Sequence, residues 1–325
     1  MGERNALNGG IAVFAYGKDA KKPCYFAKFS ARLLFYDLIG LHDQSARTAA
    51  RLKESVVRLG VDDGDEDFVR RMCDENAIPF YSGRGDVAAF AAEKHAYVKL
   101  WKHHAAQDKA NLINEKADEM GEEWIKRYGG KVSSEWELPK AWQILDESPE
   151  IYDEADYIVE AADWVVWQLC GVLGKNTCCA GYKGLWHNKD GYPSKEFLKA
   201  LDPRLENFVE DKLNFPIVQL CDRVGGLTAD MAAKLGLNEG MTVTTAIIDA
   251  HVAVPAVKIT KPNILLAIMG TSTCHILVSE EEHLVPGISG VVAGGVYPNL
   301  YAYEAGQACV GDHFSWFIKN CVPAS

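Results

Sequence analysis

The chain has 325 residues, enough for two domains of ordinary size, and its 48% apolar and 24% charged residues are the balance of a soluble globular protein. A formal net charge of −11 excludes a general basic footprint for nucleic acid and makes an anionic membrane surface repulsive. No apolar run reaches the length of a membrane-spanning helix, and the first residues do not have the pattern of an export signal. Nine cysteines without CxxC spacing read as reduced, mostly buried thiols of a cytoplasmic protein.

In chain order, Gly9–Ala15 predicts a strand, and Leu34, Leu38, Ala46 and Ala50 give residues 32–59 helical spacing. The acidic run at 62–67 predicts a solvated loop, because a buried strand would reject it. An amphipathic helix is predicted from Ala105 to Tyr128, with Ile113, Ala117, Met120 and Trp124 on one face and Gly129 and Gly130 as its stop. Ser133 to Trp136 reads as a loop entering a helix ahead of Pro139. A further helix, Ala155 to Gly171, would bury Ile158, Ala162, Val165 and Leu169 and use Trp164 and Trp167 for packing. Cys179 to His187 reads as an apolar loop carrying Lys183. A lysine is seldom buried without a partner, so Lys183 either donates to a ligand or snorkels to the surface. Short helices punctuated by Pro203 follow from Leu198 to Leu213, and Thr228 predicts the cap of a helix over Ala229–Leu235. The histidines lack HxxxH and HExxH spacing, so no structural zinc site is predicted.

Two apolar runs organise the C-terminal third. Thr242 to Ile248 predicts a strand that ends at the carboxylate of Asp249. Ile264 to Met269 predicts another, and His275 to Val278 follows so soon that Gly270–Thr273 predicts a β-hairpin tip. Glycine there lets backbone N–H groups converge on an anion, and Thr271, Ser272 and Thr273 add hydroxyl donors. A carboxylate able to deprotonate an attacking hydroxyl, beside a turn able to hold phosphate, is what phosphoryl transfer needs. Each feature also has an ordinary reading, Asp249 as a turn residue or helix cap and GTST as a common hairpin turn. Gly290–Val296 and Leu300–Tyr303 predict antiparallel strands, and Glu304 predicts the start of the last helix, where the dipole favours a carboxylate.

Four segments, IIDAHVAVPAVKIT (247–260), IMGTSTCHILVS (268–279), VPGISGVV (285–292) and YEAGQACVGDHFSWFIKNCVP (303–323), closely resemble the FGGY family of carbohydrate kinases, and the resemblance runs over roughly residues 93–325. It implies an α/β chain with the actin-like ATPase (ribonuclease H-like) fold. Residues 1–255 would form the N-terminal, sugar-binding lobe and residues 256–325 the start of the C-terminal, ATP-binding lobe. The implied activity is transfer of the ATP γ-phosphate to the terminal hydroxyl of L-ribulose, in L-arabinose breakdown. Asp249 would be the base, Lys183 and Glu304 would bind the sugar, and Gly270, Thr271, Ser272 and Thr273 would bind ATP phosphate. Mg²⁺ would be held mainly by the ATP phosphates and a carboxylate or waters, with no metal-binding residue named. The small-molecule partners would be the sugar and ATP, neither nucleic acid nor membrane, and self-association is compatible with the family.

In the family the segment YVKLWKHHAA (97–106) flanks the sugar, so Trp101 or Lys102 either faces it or serves packing and solvation. Residues 1–90 match poorly: the family's opening GxDxGT turn is missing, while 56–62 and 73–79 keep scraps of family text. The family's adenine pocket lies beyond Ser325, so the resemblance predicts weak MgATP binding and negligible turnover for these residues alone. The alternative readings are a sugar-binding remnant and a kinase for another sugar.

Overall fold

The computed structural model describes residues 10–13, 15–16, 27–30, 93–96, 98–99, 103–270, 272–307 and 309–323. The expectations for 32–59, 56–62, 62–67, 73–79, Trp101, Lys102 and Thr271 lie outside the described residues. Of the predicted first strand, Gly10–Val13 (β1) forms; β2 (Ala15–Tyr16) and β3 (Ala27–Ser30) follow, and β1 pairs antiparallel with β3.

Helix α1 spans Gln107–Met120 and buries Ala110, Ile113 and Ala117, one stripe at helical spacing. It stops at Gly121 rather than at Gly129, because Gly121 adopts a left-handed φ of 67° and the Glu122 N–H closes back on the Ala117 carbonyl at 2.9 Å. Residues 123–128 then form a 3₁₀ turn that still delivers Trp124 to the core, edge-on to Phe197 at 5.3 Å between ring centroids. Helix α2 (Glu137–Glu147) begins where the loop reading placed it, with Pro139 in its first turn, where no N–H is missed. Helix α3 (Pro149–Glu154) follows directly. The next helix, α4, spans only Ala161–Cys170. Ile158, expected within it, instead donates its N–H to the Lys212 carbonyl at 3.0 Å and stays non-helical, while Val165 and Leu169 are buried as expected.

Strand β4 (Lys175–Asn176) leads into α5 (Thr177–Tyr182), a helix where a loop was predicted, whose first turn is capped by the Asn176 side chain accepting from the Cys179 N–H at 2.8 Å. Short helices α6 (Lys195–Leu201) and α7 (Phe208–Lys212) flank a turn at Pro203, and β5 (Ile217–Val218) pairs in parallel with β4. Next come β6 (Arg223–Gly226) and α8 (Ala229–Leu235), with Thr228 Oγ1 accepting from the Met231 N–H. Strand β7 is Thr242–Thr244 alone, hydrogen-bonded between β2 and β6; the predicted strand was longer. Residues 245–248 leave the sheet, and Asp249 is the first residue of α9 (Asp249–Ala256).

Strands β8 (Leu266–Met269), β9 (Thr273–Ser279), β10 (Gly290–Ala293) and β11 (Tyr301–Gln307) form an antiparallel sheet in the order β10-β11-β9-β8. Glu304 does not start a helix. Pairing of β11 with β9 continues to Gln307 opposite Thr273, which keeps Glu304 extended between Gly290 and Ile276, and the last helix, α10, spans Gly311–Cys321. Helices α5 and α9 pack on this sheet in one core containing Tyr182, Val254, Ile276, Val278, Val292 and Ala302. The approach is close. A Cβ on Gly181 would lie 2.2 Å from Val292 Cγ1, so only glycine lets α5 touch β10. Among the described residues no helix is long and apolar enough to cross a membrane.

Candidate functional site

Tyr182 sets the site. Its hydroxyl donates to the Ala302 carbonyl at 2.6 Å, and its ring lies against Gly290, where a Cβ would come within 2.8 Å. Lys183 is therefore held beside β11 at the C-terminal end of α5, half-buried, its carbonyl accepting from the Glu137 N–H at 3.1 Å. Among the described residues it makes no salt bridge.

Asp249 opens α9 with its carboxylate exposed, Oδ1 accepting from the Ala250 N–H at 2.9 Å, where the helix dipole favours negative charge. Two residues on, His251 points inward and is fully buried. Its ring meets that of Tyr182 at 4.4 Å, and its Nε2 lies 3.5 Å from Glu304 Oε2, an ion-pair separation without hydrogen-bond alignment. Burial holds the His251 imidazole below its ordinary range, the negative charges of Glu304 and Asp249 pull it up, and the ammonium of Lys183 pushes it down. His251 is thus neutral at pH 7.

Cys274, on β9 opposite Gly306 and Ile268, feels the same three charges. Burial pushes its thiol up to about 11, helped by the charge of Glu304 and a side-chain hydrogen bond to it, while Lys183 opposes. Cys178 is raised too, by burial first, with Glu304 and Lys183 acting in opposite senses. The structure therefore brings Lys183, Asp249 and Glu304 into one electrostatic neighbourhood centred on His251 and Cys274. The sequence reading had no role for His251, Cys274 or Tyr182. The only local signal for His251 was its place two residues after Asp249.

The predicted hairpin forms, with Met269 opposite Thr273 and Gly270 and Ser272 at the tip. The Gly270 N–H is already engaged with the Ser272 carbonyl at 2.8 Å, and the Gly270 carbonyl accepts from the Gly311 N–H at 3.1 Å. The Gly270 N–H, expected to be among those that converge on an anion, is therefore already taken within the turn. Thr273 Oγ1 is buried without a hydrogen-bond partner, so one donor at the tip is unspent. Chemically, Lys183 can donate to a ligand oxygen, Glu304 can accept from a hydroxyl, and the exposed carboxylate of Asp249 can accept a proton.

A family model described as FGGY family of carbohydrate kinases, C-terminal domain, matches residues 265–324. The ribulokinase of Bacillus licheniformis is 52% identical over 250 residues, which are 77% of this chain and 45% of that protein. The ribulokinase of Halalkalibacterium halodurans is 54% identical over 239 residues, covering 74% of this chain and 42% of that protein. The chain thus spans under half the length of these relatives. Among solved structures, the xylulose kinase of Bifidobacterium adolescentis superposes with a TM-score of 0.59 at 14% identity, covering 74% of this chain and 52% of that one. The expected actin-like ATPase fold, covered in part, agrees with this likeness.

Proposed function

We propose that this chain, which belongs to the FGGY family of carbohydrate kinases, carries the sugar-binding and proton-abstracting groups of an ATP-dependent kinase for L-ribulose. The observation that supports the reading best is the convergence of Lys183, Asp249 and Glu304 around His251 from three separate elements. The ribulokinase relatives support the choice of sugar.

Asp249, exposed and fixed at the first turn of α9, takes the proton of the terminal hydroxyl, a role worth roughly 10²–10⁴-fold. Lys183 donates to a sugar hydroxyl and Glu304 accepts from another. His251 lies 3.5 Å from Glu304 Oε2 and packs against the Tyr182 ring. MgATP is the second substrate and supplies the phosphoryl group. We assign its phosphate to Gly270, Thr271, Ser272 and Thr273, and the unpartnered Thr273 hydroxyl supports that assignment. We place Mg²⁺ on the nucleotide phosphates, the usual arrangement for this ion with a nucleotide. We draw the division between the lobes at 255/256, just ahead of the segment that the C-terminal family model matches.

The test is calorimetric titration of the 325-residue chain with L-ribulose, run beside ADP release with MgATP and L-ribulose. Saturable sugar binding that Lys183→Ala weakens supports the site, and no binding overturns it. Sugar-dependent ADP release within the usual range of about 1–10³ s⁻¹ supports kinase activity. Binding without ADP release reduces the function to sugar binding.

A further inference from the structure

No step of the proposed reaction uses the ring of His251, yet its place in the fold is costly. The ring is fully buried on α9, and neither Nδ1 nor Nε2 makes a hydrogen bond. A polar ring taken out of water needs a compensating partner. An apolar side chain would fill the same space, beside a core of Tyr182, Val254 and Ile276, without that loss.

The acceptor that faces the ring is Glu304 Oε2, 3.5 Å from Nε2. Burial keeps the imidazole neutral, so it carries a single proton. The tautomer then decides whether Nε2 meets the carboxylate with an N–H or with a lone pair. A lone pair would repel the negative oxygen and an N–H attracts it, which places the proton on Nε2. A small turn of the carboxylate closes the 3.5 Å gap to hydrogen-bonding distance.

Both partners are framed by their neighbours. Tyr182 packs its ring on the imidazole at 4.4 Å and anchors its hydroxyl on the carbonyl of Ala302, two residues before Glu304 on β11. Cys274 reaches the same carboxylate from β9. The register sets Cys274 opposite Gly306 and Ile276 opposite Glu304, so thiol and carboxylate share one face of the sheet, and a side-chain hydrogen bond joins them. A carboxylate offers about four lone-pair sites, so one engaged on each side leaves the others for a ligand. The Glu304 side chain is 19% exposed and that of His251 is fully buried, so a ligand meets the carboxylate and not the ring.

We propose that His251 is a positioning residue that donates its Nε2–H to Glu304 Oε2 and thereby sets the direction in which Glu304 accepts a sugar hydroxyl. The inference rests on the reading of Glu304 as a sugar acceptor and goes beyond it by giving that carboxylate its orientation. Two readouts on the full chain test it. In NMR of the histidine ring nitrogens, the signals missing from His251→Gln identify this residue. The expected ring is the Nε2–H tautomer, with a downfield ring proton that moves upfield in Glu304→Ala. In calorimetry, L-ribulose affinity falls about tenfold in His251→Leu, the loss of one hydrogen bond to a charged group, and returns to within about twofold in His251→Gln, whose amide nitrogen replaces Nε2. A packing role predicts the opposite order, because Leu suits an apolar site better than Gln. The tautomer is read from the unaltered chain, so it decides even where His251→Leu perturbs folding. An Nδ1–H tautomer, a ring proton indifferent to Glu304→Ala, or equal affinities in the Leu and Gln variants would overturn the proposal. Failure of the unaltered chain to bind L-ribulose would instead overturn the sugar-site reading, and the ring signals would still decide the contact with Glu304.

Discussion

The two ends of α5 carry two polar clusters of opposite character. At the N-terminal end, Lys175 is fully buried and ion-paired with buried Glu137, while Asp163 accepts from the Asn176 backbone N–H at 2.9 Å and from its side-chain amide at 2.6 Å. At the C-terminal end, Lys183 is half-buried without a salt bridge among the described residues, and Asp249 is exposed. One helix thus separates charges that hold the fold from charges left available to a ligand. Burial tells them apart where residue type cannot. The Lys175 ammonium, which burial alone would lower, is held protonated by Glu137 beside it.

The comparison breaks most readily at the buried pair. Lys175→Met leaves the Glu137 carboxylate buried and unpaired, and should destabilise the chain by about 3–5 kcal/mol in urea titration. Combining it with Glu137→Leu should recover most of that loss. A single variant costing under about 1 kcal/mol would mean that the two clusters do not differ in kind.

Asp249→Asn should do the reverse, leaving the unfolding midpoint nearly unchanged while cutting sugar-dependent ADP release, measured in a version extended to the full length of the relatives, by about 10²-fold or more. Retention of more than about a tenth of the rate would remove Asp249 from the role of base.

Lys183→Ala should weaken L-ribulose binding by about 1.5–3 kcal/mol in calorimetry, the range for a charged hydrogen bond. An unchanged affinity would return Lys183 to the solvated lysines.

A further prediction concerns pH. Burial pushes the Asp163 carboxyl up to about 7, against the hydrogen bonds from Asn176 and the charge of Lys175. The folded chain then holds this proton more tightly than the unfolded one. Its contribution is fully present below the unfolded carboxylate pKa and is lost as pH rises through about 7. Stability should therefore fall with a slope of at most about 1.4 kcal/mol per pH unit across that window. Asp163→Asn should flatten the slope, which urea midpoints at stepped pH would reveal.

Features with short-range causes were legible along the chain. Thr228 ahead of Ala229–Leu235 carries its own cap, and the hairpin around Gly270 needs only two apolar runs and a turn. The motif text also led to Lys183, Asp249 and Glu304, which the fold then gathers around one histidine. The reading was silent on the buried Lys175: followed by a polar Asn, it has no local mark, because its partner Glu137 lies far off on α2.

Residue chemistry and spacing along the chain settle where helices cap, where turns fall and which side chains could carry a proton or bind a sugar, because those depend on neighbours a few residues away. Packing alone decides that β11 runs on through Glu304, that α1 ends at Gly121, and that His251 lies between Tyr182 and Glu304. Such outcomes depend on cross-strand hydrogen bonds, on the close approach allowed by Gly181, and on the exclusion of water between α5, α9 and the sheet. These are contacts between distant segments, and no window of sequence contains both partners.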